Sequence, residues 1–340
     1  MRTIRWGMIG CGQVAAGKSG PALYRARNSE LVAVADHHPG RAKEFATRHS
    51  IARWHEDAEA VIAAPDIDAV YVATLTNSHH EYTLRCAAAG KAVLVEKPMA
   101  MSVAQCREMI AACEKADVPL WVAYYRRALP RFARLRELVQ GGAIGEVRMV
   151  VTRHFQQIPA ADEISGPFWG WRLDPRRSGG GIFFEAVGHT LDILDYVLGP
   201  IETLHGLAGN QGAAYAGEDV VTAAFRFASG AYMSGAWCFT ADFDDECNEI
   251  IGSKGRIRFS TFPPLRRGGG PQPVPMVLTR GDQVETIAVD DPPYVHQPLV
   301  QTIVDEMNGV GKCPSTPESA LRTAQVIEAT LAGFRARAAH

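Results

Sequence analysis

The chain has 340 residues, 47% apolar and 21% charged, and its 35 basic side chains against 37 acidic ones leave a net charge of −2. That length predicts two domains with cores large enough to need no covalent staples. The balanced charge, with no basic run, argues against nucleic acid or an anionic membrane as a partner, and no apolar stretch is long enough to span a bilayer. The opening residues, MRTIRWGMIG, lack the apolar segment and cleavage site of a secretory leader. Seven cysteines, an odd number without C-x-x-C spacing, read as reduced thiols of a cytoplasmic protein, not as a disulfide framework or a zinc site.

Residues 4–9 predict a strand, 14–26 a helix, and the apolar run LVAVA at 31–35 a buried parallel strand. A helix follows at 39–49. Strands at 69–73, 92–95 and 120–124 alternate with helices at 81–89 and 103–116. Repeated β-α-β order requires crossovers, so residues 1–125 are expected to form an α/β Rossmann domain, a parallel sheet with helices on both faces. Residues 124–130 read as the linker. Residues 126–340 are expected to form an α+β domain on a large, mainly antiparallel open sheet. In it a helix at 130–140 leads to a strand at 146–155, a loop rich in Gly, Pro and Trp, and an apolar helix at 181–198. Strand-like segments run from 203 to 289 with hairpin signals at Ala228-Ser-Gly230 and Ser253-Lys-Gly255. The Gly- and Pro-rich stretch 263–275 predicts a loop, and helices at 297–308 and 317–337 close the chain.

Gly10-Cys-Gly-Gln-Val-Ala15 has the G-x-G-x-x-A spacing of a dinucleotide-binding turn. Gly10 permits the tight turn, Gly12 lets backbone N–H groups approach a pyrophosphate, and Ala15 lets helix and strand pack closely. A plain strand-to-helix turn has the same spacing, but a strand precedes this one, a helix follows, and Asp36 ends the next strand. An acid there receives the adenosine ribose hydroxyls and repels a 2′-phosphate, which favours NAD. His37, His38 and Arg41 lie close enough to offset that repulsion, so NADP stays the second candidate.

Glu96-Lys97-Pro98 follows the strand at 92–95, at the edge where open α/β sheets bind ligands. A lysine there can exchange a proton with a substrate oxygen, provided that burial or a neighbouring positive charge destabilises its ammonium form. A solvated lysine in a Pro-terminated loop is the plain alternative. Gly179-Gly-Gly-Ile-Phe-Phe-Glu-Ala-Val-Gly-His-Thr-Leu-Asp192 enters an apolar helix on which Glu185, His189 and Asp192 stand at i, i+4 and i+7. On a regular helix that spacing puts three ionisable groups in one stripe. The stripe fits a proton-handling histidine with a carboxylate partner, a Glu/His/Asp metal site, or a core hydrogen-bond network.

Trp169-Gly-Trp-Arg-Leu-Asp174 offers aromatic planes and a guanidinium for stacking on a ligand, or for an aromatic domain interface. His79-His80 reads as a helix start capped by Asn77 or Ser78. Cys106 and Cys113, seven apart on one helix, read as two core positions.

Taken together these residues resemble the glucose–fructose oxidoreductase / inositol dehydrogenase (Gfo/Idh/MocA) family. The resemblance rests on the turn at 10–15, Asp36, Ala73-Thr74 with His79, and the string from Ala89 to Pro98. It continues through Val122–Pro130, Gly142–Val147, Trp171-Arg172 and the glycine-run helix with His189 and Asp192. It implies a site between a Rossmann domain and an open-sheet domain, and a homodimer or homotetramer. Lys97 would be the catalytic lysine, His189 the proton acceptor or donor, Glu185 the third catalytic residue, and the Lys97–Pro98 bond cis. Cofactor contacts would fall to Gly10, Gly12, Gln13, Val14, Asp36, Thr74, His79, Glu96, Lys97, Trp171 and Arg172. Substrate contacts would fall to Lys97, Tyr125, Glu185 and His189, with no metal. Glu185 stands where the family usually has Asp, which moves its carboxylate outward by one methylene. The expected activity is NAD(P)-dependent hydride transfer at a hydroxyl-bearing carbon of a sugar, inositol or related cyclic diol. An NAD-dependent glycosidase and a non-catalytic dinucleotide sensor are the alternatives.

Overall fold

The computed structural model describes residues 1–262 and 275–338. The expected loop at 263–275 therefore lies outside the described residues except for Pro275. The described chain forms two compact units, one of residues 1–129 with 292–321, the other of residues 130–291 with 322 onwards.

In the first unit, strands β1 (Ile4–Ile9), β2 (Ser29–Ala35), β3 (Arg53–His55), β4 (Ala69–Val72), β5 (Ala92–Val95) and β6 (Leu120–Val122) form a parallel sheet in the order β3-β2-β1-β4-β5-β6. Helices α1 (Gly20–Arg25), α2 (Arg41–His49), α3 (Glu59–Ile62), α4 (Thr76–Ala88) and α5 (Val103–Lys115) make the crossovers. The strand order reverses at β1/β4, the position where such sheets open a crevice for a dinucleotide. No sequence pattern predicts β3, because Arg53-Trp-His55 is an edge strand of three residues with no apolar run. The local patterns also predict a later start for α4 than the structure has. The helix begins at Thr76 after Leu75, and neither Asn77 nor Ser78 caps it. The Ser78 hydroxyl sits in the first turn and bonds back to Leu75 O at 2.9 Å and Thr74 Oγ1 at 2.8 Å.

In the second unit, α6 (Pro130–Gln140) precedes β7 (Val147–Gln157), the single turns α7 (Ala161–Ile164) and α8 (Pro175–Ser178), and α9 (Gly188–Leu198). Strands β8 (Ile201–Gly209), β9 (Val220–Phe227), β10 (Tyr232–Ala241), β11 (Asp245–Gly252), β12 (Arg256–Phe259), β13 (Met276–Arg280) and β14 (Gln283–Ile287) follow. With β7 they form an eight-stranded sheet in the order β14-β13-β12-β11-β7-β10-β9-β8, antiparallel except where β7 runs beside β10. Both hairpin signals fall between paired strands, β9/β10 and β11/β12.

The chain then returns to the first unit. The sequence puts all residues from 126 onwards in the second domain; in the structure the units divide after Leu129 and residues 292–321 group with the first. Helix α10 (Gln297–Met307) explains the return: Leu299, Val300, Ile303 and Val304 share one buried cluster with Ile4, Trp6, Leu23 and Trp121. Burying four such side chains contributes roughly 1.5–3 kcal/mol each, far more than the cost of lengthening the connection. The last helix, α11 (Pro317–Ala338), contains the second division between the units.

Candidate functional site

The glycine turn follows β1. Gly10 takes φ +99°, and a Cβ there would stand 2.5 Å from Ala73 O, so only glycine fits. A Cβ on Gly12 would meet nothing within 4 Å, leaving open space beside the backbone where a pyrophosphate is expected to lie. The helix that follows runs through a π-helical turn at Ala15–Ser19 before α1. Pro21 falls in the first turn of α1, where a missing N–H costs little.

Asp36 is buried at the end of β2, and its carboxylate is shared among protein donors. Oδ2 accepts the Cys11 backbone N–H at 2.8 Å, while Oδ1 accepts the His38 backbone N–H at 2.9 Å and faces His38 Nδ1 at 2.9 Å. Arg41 Nη1 stands 3.7 Å away. Burial opposes the charge, but these donors and the arginine outweigh it and hold the carboxyl below its usual range. Burial pushes the adjacent Cys11 thiol up to about 12, so it is no nucleophile. Asp36, His37 and His38 also bring three ligand-type atoms within 4.8 Å of one another, but Arg41 beside the same carboxylate disfavours a cation.

Glu96 and Lys97 leave the end of β5. The Glu96 side chain is 12% exposed, and its carboxylate receives three groups. The Tyr71 hydroxyl donates to Oε1, His296 Nε2 lies 3.5 Å from the same atom, and the Lys97 backbone N–H donates to Oε2 at 3.0 Å. Burial would raise its pKa, yet the bond and charge of His296, the Tyr71 hydroxyl and the Lys97 charge hold it down at about 2. The Lys97–Pro98 peptide is cis, as the resemblance implies. On its far side Pro98 O faces His79 Nδ1 at 2.9 Å, and His79 Nε2 faces Thr74 O at 3.2 Å. His79 is 1% exposed and burial keeps its pKa low, so the neutral ring has one N–H, which the nearer carbonyl, Pro98 O, accepts, while its other nitrogen only packs against the Thr74 loop. Tyr125 stacks on His296 with ring centroids 4.1 Å apart.

In the second unit, the helix bearing His189 starts with a π-helical turn at Phe183–Val187 and continues as α9. The wide turn holds one more residue than an α-helical turn and carries Glu185. The Glu185 carboxylate meets Arg172 Nε at 3.4 Å. Arg172 donates from Nη1 to Phe168 O at 2.6 Å, and its guanidinium covers the Phe168 and Trp171 rings at 4.1 and 4.4 Å. His189 and Asp192 are both buried, and the His189 ring is edge-on to Phe262 at 6.0 Å. Thr190 next to it bonds Thr261 at 3.1 Å.

The glycine run has a packing cause. A Cβ on Gly181 would stand 2.3 Å from Glu218 O, and Glu218 Oε1 accepts the N–H groups of Gly181 and Phe184 at 2.9 Å each. This buried carboxylate, from the loop before β9, caps the start of the His189 helix. Sequence reasoning missed Glu218, Tyr71 and His296, whose partners lie 34, 25 and 200 residues away in the chain. It also missed His154 on β7, which packs against Phe239 and Phe262 at 5.2 Å each and is pushed down to about 4 by burial. No local pattern marks any of the four.

A parallel sheet with this strand order, a turn shaped for pyrophosphate and an acid at the end of β2 define a dinucleotide-binding enzyme, an NAD(P)-dependent dehydrogenase or reductase. Residues 4–124 match the family described as "Oxidoreductase family, NAD-binding Rossmann fold", and residues 132–258 match the "GFO/IDH/MocA C-terminal domain". The chain belongs to the GFO/IDH/MocA family. It is 33% identical over 331 residues to Oxidoreductase P35 of Formosa agariphila, covering 96% of this chain and 97% of the relative. It is 30% identical over 318 residues to 1,5-anhydro-D-fructose reductase of Ensifer adhaerens, covering 92% and 91%. The solved aldose–aldose oxidoreductase of Caulobacter crescentus, complexed with glycerol, shares 26% identity with a TM-score of 0.84 over 98% of both chains.

Proposed function

We propose that the protein transfers a hydride between NAD(P) and a hydroxyl-bearing carbon of a sugar, inositol or related cyclic diol. The observation that carries this reading is the fixing of Lys97 on both flanks, by Glu96 on one side and by the Pro98–His79 contact on the other. A lysine so held at the C-terminal edge of a parallel sheet is preorganised to meet a substrate hydroxyl. The carbohydrate class is supported by relatives named as a 1,5-anhydro-D-fructose reductase and an aldose–aldose oxidoreductase.

In this reading Gly10, Gly12, Gln13 and Val14 hold the pyrophosphate and Asp36 the adenosine ribose. Thr74, Glu96, Trp171 and Arg172 bound the rest of the cofactor, with His79 setting the Thr74 loop. When bound, the dinucleotide supplies the carbon that accepts or gives the hydride. Lys97 Nζ and the His189 imidazole together move the one hydroxyl proton, taking it up during oxidation and returning it during reduction. Tyr125 and Glu185 contact the substrate, and the Arg172 contact orients the Glu185 carboxylate.

The reading extends to a cytoplasmic homodimer or homotetramer. Support comes from Tyr232 and Met149, which are partners across β10 and β7 and are 59% and 38% exposed. Among the described residues no helix is long and apolar enough to cross a membrane. The test is a screen of aldoses, inositols and cyclic diols for reduction of NAD or NADP, followed at 340 nm. Turnover of at least one such compound is expected. Turnover confined to substrates without a carbinol carbon would overturn the proposal.

A further inference from the structure

We infer that His296 is a positioning residue for the reaction, acting through Glu96 on the Lys97 loop; this rests on the role proposed for Lys97. His296 comes from the returning segment, where it directly precedes α10, and it is 4% exposed inside the first unit. Its ring does two things at once. Nε2 reaches toward Glu96 Oε1 at 3.5 Å, and the ring plane stacks on Tyr125 at 4.1 Å. Nδ1 is buried with no hydrogen-bond partner among the described residues. Nε2 is therefore the ring nitrogen that can donate to an acceptor, Glu96 Oε1.

The consequence for Lys97 is geometric. The Glu96 carboxylate is fixed on its Oε1 side by Tyr71 and His296, and its Oε2 receives the backbone N–H of Lys97 itself. A carboxylate held by two side chains is a rigid acceptor, so the backbone from which the lysine side chain departs is rigid too. Removing the His296 donor leaves Oε1 with Tyr71 alone and lets the carboxylate rotate. Small misplacements of a reacting group cost up to about 10² in rate.

The test uses the full-length enzyme and the best substrate of the screen. His296→Phe keeps the ring on Tyr125 and removes only the donor, whereas His296→Gln keeps an N–H donor. For His296→Phe, kcat is expected to fall by about tenfold to a hundredfold, while the Kd for NAD(H), read by fluorescence, stays within about twofold. His296→Gln should recover most of that loss. A kcat within about twofold of the wild type in folded His296→Phe would overturn the inference, and so would a parallel loss of kcat, NAD(H) affinity and Tm, which marks a structural role alone. Should His296→Phe not fold, Tyr71→Phe removes the other side-chain donor at equal volume and is read the same way. Lys97→Ala is measured alongside. If it retains full turnover the underlying reading fails, whereas an inactive Lys97→Ala beside a fully active His296→Phe sinks only this inference.

Discussion

Asp36 accepts the Cys11 backbone N–H at 2.8 Å, so the acid expected to receive the adenosine ribose also closes the glycine turn that receives the pyrophosphate. One residue thus serves cofactor choice and local stability, and substitution separates the two. Asp36→Ala is expected to raise kcat/KM for NADP relative to NAD by about tenfold or more, as about 1.4 kcal/mol of repulsion against a 2′-phosphate disappears. The same change strands the Cys11 and His38 N–H groups and should cost about 1–3 kcal/mol in urea unfolding. An unchanged cofactor ratio, with the stability loss present, would leave Asp36 as a turn residue only.

Lys97→Ala is expected to lower kcat by about 10² or more, the range for a lost acid–base group, with little change in NAD(H) affinity. His189→Asn should lower kcat by a similar factor if both groups move the hydroxyl proton. Single-turnover measurements separate this from slow product release. A lysine variant with normal turnover would remove the proposed mechanism.

Stability against pH should fall in two stages, because acids and a base are shifted by different causes. Burial pushes His154 down from 6.5 to about 4, so between those values the unfolded chain takes up the proton first and stability drops as pH falls. Glu96, held at about 2 against an ordinary 4.5, stabilises fully above that ordinary range and loses its contribution as pH falls toward its folded value. Asp36 acts in the same direction. Urea titrations from pH 7 to pH 3 should show both stages, and His154→Phe should flatten the first, worth on the order of 3 kcal/mol. If that variant keeps the full loss between pH 6.5 and 4, His154 is not its source.

Much of this architecture is legible in local patterns, because a buried parallel strand such as Ala92–Val95 writes itself as an unbroken apolar run. The turn at Gly10 is legible for a related reason, since positive φ and close approach to Ala73 leave glycine as the residue that fits. What is not legible is partnership at long range. The apolar face of α10 reads the same whichever unit buries it, and only the contacts assign it to the first. The spacing of Glu185, His189 and Asp192 predicts a stripe on a regular helix, and the π-helical turn at Phe183–Val187 is invisible to that periodicity. Glu96 read as an acid beside a lysine; that its carboxylate is spent on Tyr71, His296 and a backbone N–H depends on residues 25 and 200 positions away.

Glu218 offers a way to disturb the His189 helix without touching its ionisable groups. Its Oε1 accepts the Gly181 and Phe184 N–H groups, and Glu218→Ala leaves both buried donors unmet, at about 1–3 kcal/mol each. Because Glu185 and His189 follow within the next turns, kcat should also fall and substrate KM rise. Glu218→Gln keeps an acceptor and removes a charge whose burial raises its pKa, so at pH 7 it should hold stability and kcat close to the wild type. The two variants, compared by urea unfolding and steady-state kinetics, separate the hydrogen bond from the charge. A glutamine variant as damaged as the alanine one would shift the cause to the attraction between Glu218 and Arg335, whose guanidinium donates to Gly179 O at 2.7 Å at the head of the same helix.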